Sequence, residues 1–165
     1  MIFGTPNIVT NGLILYLDAA NRISYPGSGT TWADLSANVS SLTLTGTPTY
    51  SVDNQGILVF NGSTQYASIA SYTDLIAAGN FSIDVWINPA SIALAGTSNR
   101  RILNQYTAAN NAITLALGSS SSTGNPLNTI TTALRIAGTQ YQYNYSPTII
   151  AINNWYHIVL SLIHI

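Results

Sequence analysis

The chain has 165 residues, a formal net charge of −1 and a 47% hydrophobic fraction, which is enough apolar sequence to bury one core. Only 5% of the residues are charged, and four arginines cannot form the phosphate-neutralising patch that a nucleic acid requires. No apolar run reaches membrane-spanning length and no cysteine is present, so a membrane partner, disulfides and thiolate metal sites are all excluded.

The first predicted strand, residues 12–17, leads into a long loop that carries Tyr25 and Trp32. Asp18 and Asp34 stand near the two ends of this loop. Carboxylates in such turns commonly accept hydrogen bonds from nearby backbone amides. We therefore predict that these four residues have a structural role and that the two aspartates hold the loop in place.

Short segments with alternating apolar and polar residues, separated by turn residues, predict nine further strands. The predicted strands are residues 42–45, 57–60, 66–69, 81–89, 102–106, 112–117, 131–137, 140–145 and 155–159. A short helical turn is the most we expect around residues 72–78, and residues 118–126 form a low-complexity surface loop. The near-regular spacing predicts an all-β fold, an antiparallel sandwich or barrel.

Four segments in order carry a resemblance to a known group of proteins. They are the opening run at 8–36, "GILVFNGSTQYASI" at 56–69, "FSIDVWINP" at 81–89 and "NNWYHIVLSL" at 153–162. Together they resemble the concanavalin A-like lectin/glucanase superfamily, which includes the laminin-G-like and pentraxin-like jelly rolls. The versions most similar are common in bacteriophage structural proteins. The resemblance implies one jelly-roll domain, an antiparallel two-sheet β-sandwich, over residues 8–159.

The same resemblance implies a calcium site, which many relatives build from an aspartate in a Phe-Asp-Gly turn and an acidic pair just after it. This chain has Asn61 in place of the aspartate, and Thr64 and Gln65 in place of the acidic pair. Because these side chains bring no carboxylate to a hard cation, we expect no cofactor.

The end of the chain also departs from the family pattern. Relatives continue through several closing strands after the strand that contains Trp155 and His157, so we expect the jelly roll to lack its last strands. Residues 160–165, "LSLIHI", match a translated sequencing adapter, and we interpret them as a non-native tail. The alternative is a genuine final strand, since residues 157–165 are good strand sequence.

Catalysis is not expected. The glucanases of the superfamily use two glutamates, and retaining glycoside hydrolysis requires carboxylates about 5 Å apart. This chain has no glutamate, and its five aspartates are dispersed. His157 and His164 are the only histidines; we interpret His157 as a structural residue bonded to a backbone carbonyl. Arg100 and Arg101 are interpreted as a solubilising loop tip.

Binding a sugar requires less: an aromatic face for the pyranose ring and polar groups for its hydroxyls. Trp86 shares one face of the strand at 81–89 with Asp84 and Asn88, which makes these three residues a candidate sugar site. The alternative is a tryptophan that caps the edge of the sandwich.

A second candidate is the face formed by Tyr141, Tyr143 and Tyr145 in "TQYQYNY". If this face points outward, it is a stacking platform for sugars. If it points inward, it is part of the core. Alternation with Gln140, Gln142 and Asn144 favours the core interpretation, because a strand with one polar face usually buries the other.

These observations predict a non-catalytic, lectin-like module that binds carbohydrate and mediates adhesion in a phage virion, as a tail-fibre, tail-associated or capsid-decorating protein. Its partners are then glycans and other virion subunits. The alternatives are a purely structural virion domain and the binding module of a secreted bacterial carbohydrate-active protein. No signal peptide is evident, so the expected location is the virion or the extracellular space.

Overall fold

The computed structural model describes residues 8–70, 72, 79–91, 100–107, 110–118 and 128–163, with backbone only for residues 140–145. Within these ranges the regular elements are strands and one short 3-10 helix, Asp53–Gln55. The strands are β1 (Thr31–Trp32), β2 (Leu42–Thr45), β3 (Thr49–Ser51), β4 (Ile57–Val59), β5 (Tyr66–Ser68), β6 (Phe81–Ile87), β7 (Arg100–Tyr106), β8 (Ala112–Leu117), β9 (Thr129–Ile136), β10 (Thr139–Ile149) and β11 (Tyr156–Leu162). Every pairing among them is antiparallel, which confirms the predicted all-β class. No helix in the described part of the chain has the length and hydrophobicity to cross a membrane.

The chain divides into two compact units, Met1–Tyr72 and Thr73–Ile165. In the first unit, β1, β2 and β5 form a three-stranded sheet, and β3 pairs with β4 in a separate hairpin. Leu44 on β2 and the ring of Tyr25 are buried there. The unit is therefore organised around a small sheet and the loop that precedes it.

Residues 12–17 are not a strand, so the first predicted element is wrong. The segment is bonded mainly to side chains: Tyr16 N donates to Asp34 Oδ1 at 2.8 Å, and Asn38 Nδ2 donates to Ile14 O at 3.0 Å. The backbone contributes the bond from Leu35 N to Tyr16 O at 2.8 Å. A partner strand would offer backbone N–H and C=O groups, but residues 34–38 offer mainly side-chain oxygens and amides. A ladder of backbone hydrogen bonds therefore does not form here.

The second unit contains a four-stranded sheet in the order β10-β9-β8-β7 and a two-stranded sheet of β11 and β6. Residues from both sheets meet in one apolar core. The buried centre comprises Leu115, Leu117, Ile130 and Ile150, and the residues packed against it are Ile83, Val85, Ile87, Ile102, Leu103, Tyr156 and Ile158. The two sheets of this unit thus cover opposite sides of one hydrophobic layer, as in a β-sandwich.

Strands β6 and β11 show the alternation that the sequence predicts. Along β6, half-buried and exposed residues alternate without interruption, and β11 repeats the pattern. The pairing is regular from His157 opposite Trp86 to Leu162 opposite Phe81. Residues 160–162 are therefore strand-paired, while the proposed origin of residues 160–165 stays a prediction.

Arg100 and Arg101 do not form a loop tip, contrary to the sequence-based interpretation. They are the first two residues of β7, where Arg100 pairs with Leu117 and Arg101 with Ala116. A register shift follows between Arg101 and Leu103. The arginines are thus fixed on a sheet. The alternation of residues 102–106 predicts this strand, but two residues shorter than it is.

Candidate functional site: the outer face of β6 and β11

The exposed residues of β6 and β11 form one continuous polar and aromatic surface, called the outer face below. Alternation turns every second side chain of each strand away from the core. The residues of the outer face are Ser82, Asp84, Trp86, His157, Val159 and Ser161. From the Ser82–Ser161 pair to the Trp86–His157 pair the surface extends about 14 Å along the strands.

Trp86 and His157 form a flat aromatic stack at one end of this face. Their rings lie 4.6 Å apart between centroids and are inclined by only 10°. The two residues are directly opposite in the antiparallel register, where side chains on one face come into contact. Trp86 nevertheless remains 61% exposed, so the imidazole covers one face of the indole and leaves the other to solvent. This exposure argues against a tryptophan that closes the sandwich edge.

Asp84 extends the aromatic stack with a carboxylate. His157 Nε2 and Asp84 Oδ2 lie 2.7 Å apart, and both side chains are exposed. The interpretation of His157 as bonded to a backbone carbonyl is therefore wrong. In the register Val159 lies opposite Asp84, which makes His157 the diagonal neighbour of Asp84 and brings a long side chain within its reach.

Further polar groups lie at both ends of the outer face. Asn88, the third member of the predicted trio, is exposed one residue beyond the end of β6. At the other end of the outer face, the hydroxyls of Ser82 and Ser161 lie 3.0 Å apart. The structure thus brings Trp86 and Asp84 together around His157, a residue that the sequence placed on a strand face but did not connect to them.

In the opening loop, Asp34 is bonded to backbone groups of the chain itself. Asp34 is only 6% exposed, and its Oδ1 accepts the backbone N–H groups of Tyr16 and Ser36, both at 2.8 Å. Its Oδ2 accepts from the Ser36 hydroxyl at 2.7 Å and from Ser40 N at 2.9 Å. Burial by itself raises the pKa of Asp34, but these hydrogen bonds outweigh it and hold the pKa below its ordinary value.

Of the other three predicted loop residues, Asp18 and Tyr25 bond to the backbone of the loop. Asp18 Oδ1 accepts from Ala20 N at 2.9 Å. The buried hydroxyl of Tyr25 donates to Gly29 O at 3.0 Å. Trp32 lies in β1, and its Nε1 is buried without a hydrogen-bond partner among the described residues. These contacts stabilise the chain's own backbone.

The side chains of Tyr141, Tyr143 and Tyr145 lie outside the described residues, so their orientation stays a prediction. Their backbone belongs to β10, where Tyr143 pairs with Ala133 and Tyr145 with Thr131. A register shift lies between Gln140 and Gln142, after the pairs Thr139–Ile136 and Gln140–Arg135, and regular pairing resumes at Gln142.

The turn that resembles a calcium-binding element is held by amides. Asn61 Oδ1 accepts three successive backbone N–H groups, from Ser63, Thr64 and Gln65, at 3.0, 3.0 and 3.1 Å. Gln65 Nε2 donates to the carbonyl oxygens of both Gly46 and Thr47 at 2.9 Å. Carbonyls that a hard cation would use as ligands thus face an N–H donor, and these residues do not fit calcium. Among the described residues, no three His, Cys, Asp or Glu side chains gather in one place.

The described residues define an all-β protein with antiparallel sheets, one of which presents an exposed stack of Trp86 and His157 beside Asp84. Comparison with protein-family models, with curated proteins and with solved structures finds no match. The resemblance to the concanavalin A-like superfamily therefore stays a prediction.

Proposed function

We propose that this protein is a non-catalytic carbohydrate-binding module that adheres to neutral glycans through the outer face of β6 and β11. We further propose, from the sequence resemblance alone, that it acts in a phage virion as a tail-fibre, tail-associated or capsid-decorating protein. The observation that supports glycan binding best is Trp86, an indole that is 61% exposed although it is stacked at 4.6 Å on His157.

A stacked and exposed indole has the properties that a pyranose ring requires. The free face of Trp86 is apolar and flat, and the ring contact with His157 limits its rotation, so little side-chain entropy is lost on binding. Asp84 Oδ1 remains as an acceptor for a sugar hydroxyl because Oδ2 is engaged with His157. Asn88 adds a donor and an acceptor beside them.

Weak individual sites suit an adhesion role. A shallow surface with one aromatic platform binds a glycan weakly, but many copies on one particle raise the effective affinity by several orders of magnitude. The low charge of the chain is compatible with such ligands, since neutral hydroxyl groups gain little from charged partners.

A glycan array probed with the full chain tests the proposal, and a monovalent titration of each positive glycan then gives the affinity. We expect Trp86→Ala to weaken binding about tenfold or more, because the stacking contact is lost. Tyr66→Ala is the matched control: Tyr66 is also an exposed aromatic residue, but it lies on β5 in the first unit. Its substitution should leave the affinity unchanged.

The rival is a structural virion domain, in which Trp86 and the exposed Val159 pack against another subunit. Absence of any glycan signal for the unmodified protein, together with assembly into particles that Trp86→Ala prevents, would favour that role and refute the glycan proposal. Equal loss of glycan binding in the Trp86 and Tyr66 variants would also contradict it.

A further inference from the structure

A second surface of the chain, on the four-stranded sheet, forms a shallow groove of about 320 Å³ across β7, β8 and β9. The antiparallel register arranges its lining in rows. Tyr106, Ala112 and Arg135 occupy one row, because Ala112 pairs with both of the others. The small side chain on β8 forms the floor between two long side chains, so a depression is expected here.

The next row along the strands contributes two polar groups to the groove. Asn104, Thr114 and Ala133 are aligned by the same pairing, and all three line the groove. The Thr114 hydroxyl donates to Asn104 Oδ1 at 2.8 Å, which leaves the amide Nδ2 as the group that Asn104 offers to a ligand. Tyr106 donates its hydroxyl to Asn110 Oδ1 at 2.6 Å, so its oxygen remains an acceptor and its ring forms part of the wall.

The groove is positively charged. Arg101 and Arg135 both line it, and neither lies within 4 Å of a carboxylate of the described residues. Residues 73–165 contain three arginines and two aspartates. Of these aspartates, Asp84 is engaged with His157 on the outer face of the other sheet, and Asp74 lies outside the described residues. As far as the described residues go, both guanidinium groups therefore keep their donors available for a ligand.

The spacing of the two arginines indicates the kind of anion. Arg101 pairs with Ala116 and Arg135 with Ala112, so the two arginines are four residues apart along the strands and lie on strands separated by β8. Strand geometry puts their backbones about 16 Å apart. To share one carboxylate, both side chains would have to extend toward each other across the groove, whereas a chain with repeated carboxylates can engage each arginine separately.

We propose that this groove binds an acidic oligosaccharide, in which carboxylates of separate sugar units contact Arg101 and Arg135 and hydroxyls contact Asn104 and Tyr106. Guanidinium groups pair with carboxylates through two parallel hydrogen bonds, which distinguishes this ligand from a neutral glycan. Besides the arginines, the lining consists of hydroxyl and amide groups, two alanines and Leu134, so most of its hydrogen-bonding groups are available to a polar ligand. This site is separate from the outer face and does not depend on the function proposed there.

Calorimetric titration of the full chain with tetramers of galacturonate, mannuronate and sialic acid tests the inference. The matched ligand control is the galacturonate tetramer with its carboxylates methyl-esterified, which keeps the shape and removes the charge. We expect at least one acidic tetramer to bind, and Arg101→Gln and Arg135→Gln each to weaken that binding about tenfold. Esterification should weaken binding to galacturonate at least as much.

Arg100→Gln is the matched protein control, because it removes the same charge from the same strand but from a residue that does not line the groove. It should change the affinity less than about twofold. Circular dichroism of each variant verifies folding, and Arg135→Lys should bind more weakly than the unmodified chain, since it keeps the charge and loses the paired donors. The inference is overturned if no acidic tetramer binds, if Arg100→Gln weakens binding as much as Arg135→Gln, or if inorganic polyphosphate binds as tightly as the best tetramer.

Discussion

Asp34 is the residue whose substitution should affect the first unit most clearly. It accepts four hydrogen bonds while almost fully buried. In Asp34→Asn, one oxygen becomes an NH₂ group that cannot accept, so two of these bonds are lost whichever way the amide turns. If the amide nitrogen replaces Oδ2, the Ser36 hydroxyl can turn to Ile14 O, 3.2 Å away, but Ser40 N has no such alternative.

The magnitude follows from that count. One buried N–H without a partner costs about 1–3 kcal/mol, so Asp34→Asn should lower the free energy of unfolding by about 2 kcal/mol. Asp34→Ala removes all four bonds and should cost about 4 kcal/mol. Asp53→Asn is the control, because Asp53 is exposed and accepts a bond from the Ser51 hydroxyl. It should cost less than about 0.5 kcal/mol.

The pH dependence gives a second measurement on the same variants. Since the fold lowers the pKa of Asp34, the stabilisation is complete above the ordinary value of 3.8 and is lost as the pH falls through 3.8 towards the folded pKa. The stability difference between the unmodified chain and Asp34→Asn should therefore narrow at pH 3 relative to pH 7.

Urea unfolding at several pH values measures these free energies, and hydrogen exchange of the Tyr16, Ser36 and Ser40 amides localises the effect. We expect faster exchange at those amides in Asp34→Asn but not in Asp53→Asn. Equal destabilisation by the two substitutions, or a difference from the unmodified chain that does not vary with pH, would refute the role of the Asp34 carboxylate.

Two further substitutions test the packing of each unit. Leu115→Ala removes a fully buried side chain from the core of the second unit and should lower the free energy of unfolding in urea by about 2–5 kcal/mol. Val159→Ala is the control, because Val159 is 61% exposed, and it should cost less than about 0.5 kcal/mol. Similar losses for the two variants would contradict the assigned core. Gly56→Ala should lower the thermal midpoint of unfolding more than Gly12→Ala, although both glycines have positive φ (140° and 76°). The reason is that an added Cβ meets backbone only at the first of these, where it would lie 2.7 Å from Ala19 O. The reverse order would show that the loop at Gly56 can move aside.

The sequence is sufficient to predict that residues 81–87 form a strand and on which face of it Trp86 lies. Strict alternation over these residues leaves one register in which the apolar side chains are buried. The contact of Trp86 with His157 could not be predicted, since the pairing of residues 71 positions apart depends on how the sheet assembles. The sequence places both Asp84 and His157 on faces of predicted strands. Only the antiparallel register shows that they are diagonal neighbours.

Two boundaries show where local sequence rules were insufficient. Residues 12–17 have a strand pattern, yet they face side chains of residues 34–38 and form no ladder. Conversely, the dipeptide Ser146-Pro147 resembles a turn, but β10 continues through it to Ile149, with a register shift between Tyr145 and Ile149. A bulge tolerates a proline because one of its positions makes no ladder hydrogen bond. No local sequence pattern predicts where such a bulge occurs.

Gln65 gives the first unit a property that a metal-bound turn would lack. Its neutral amide joins residues 46–47 to residues 61–65 through two N–H donors, and neither the pH nor the concentration of divalent ions changes the number of those donors. The same connection made by a cation would loosen wherever the ion was scarce or chelated. The turn should therefore keep its shape through changes of ionic surroundings, so that the geometry of β2 and β5 next to it is set by the chain alone.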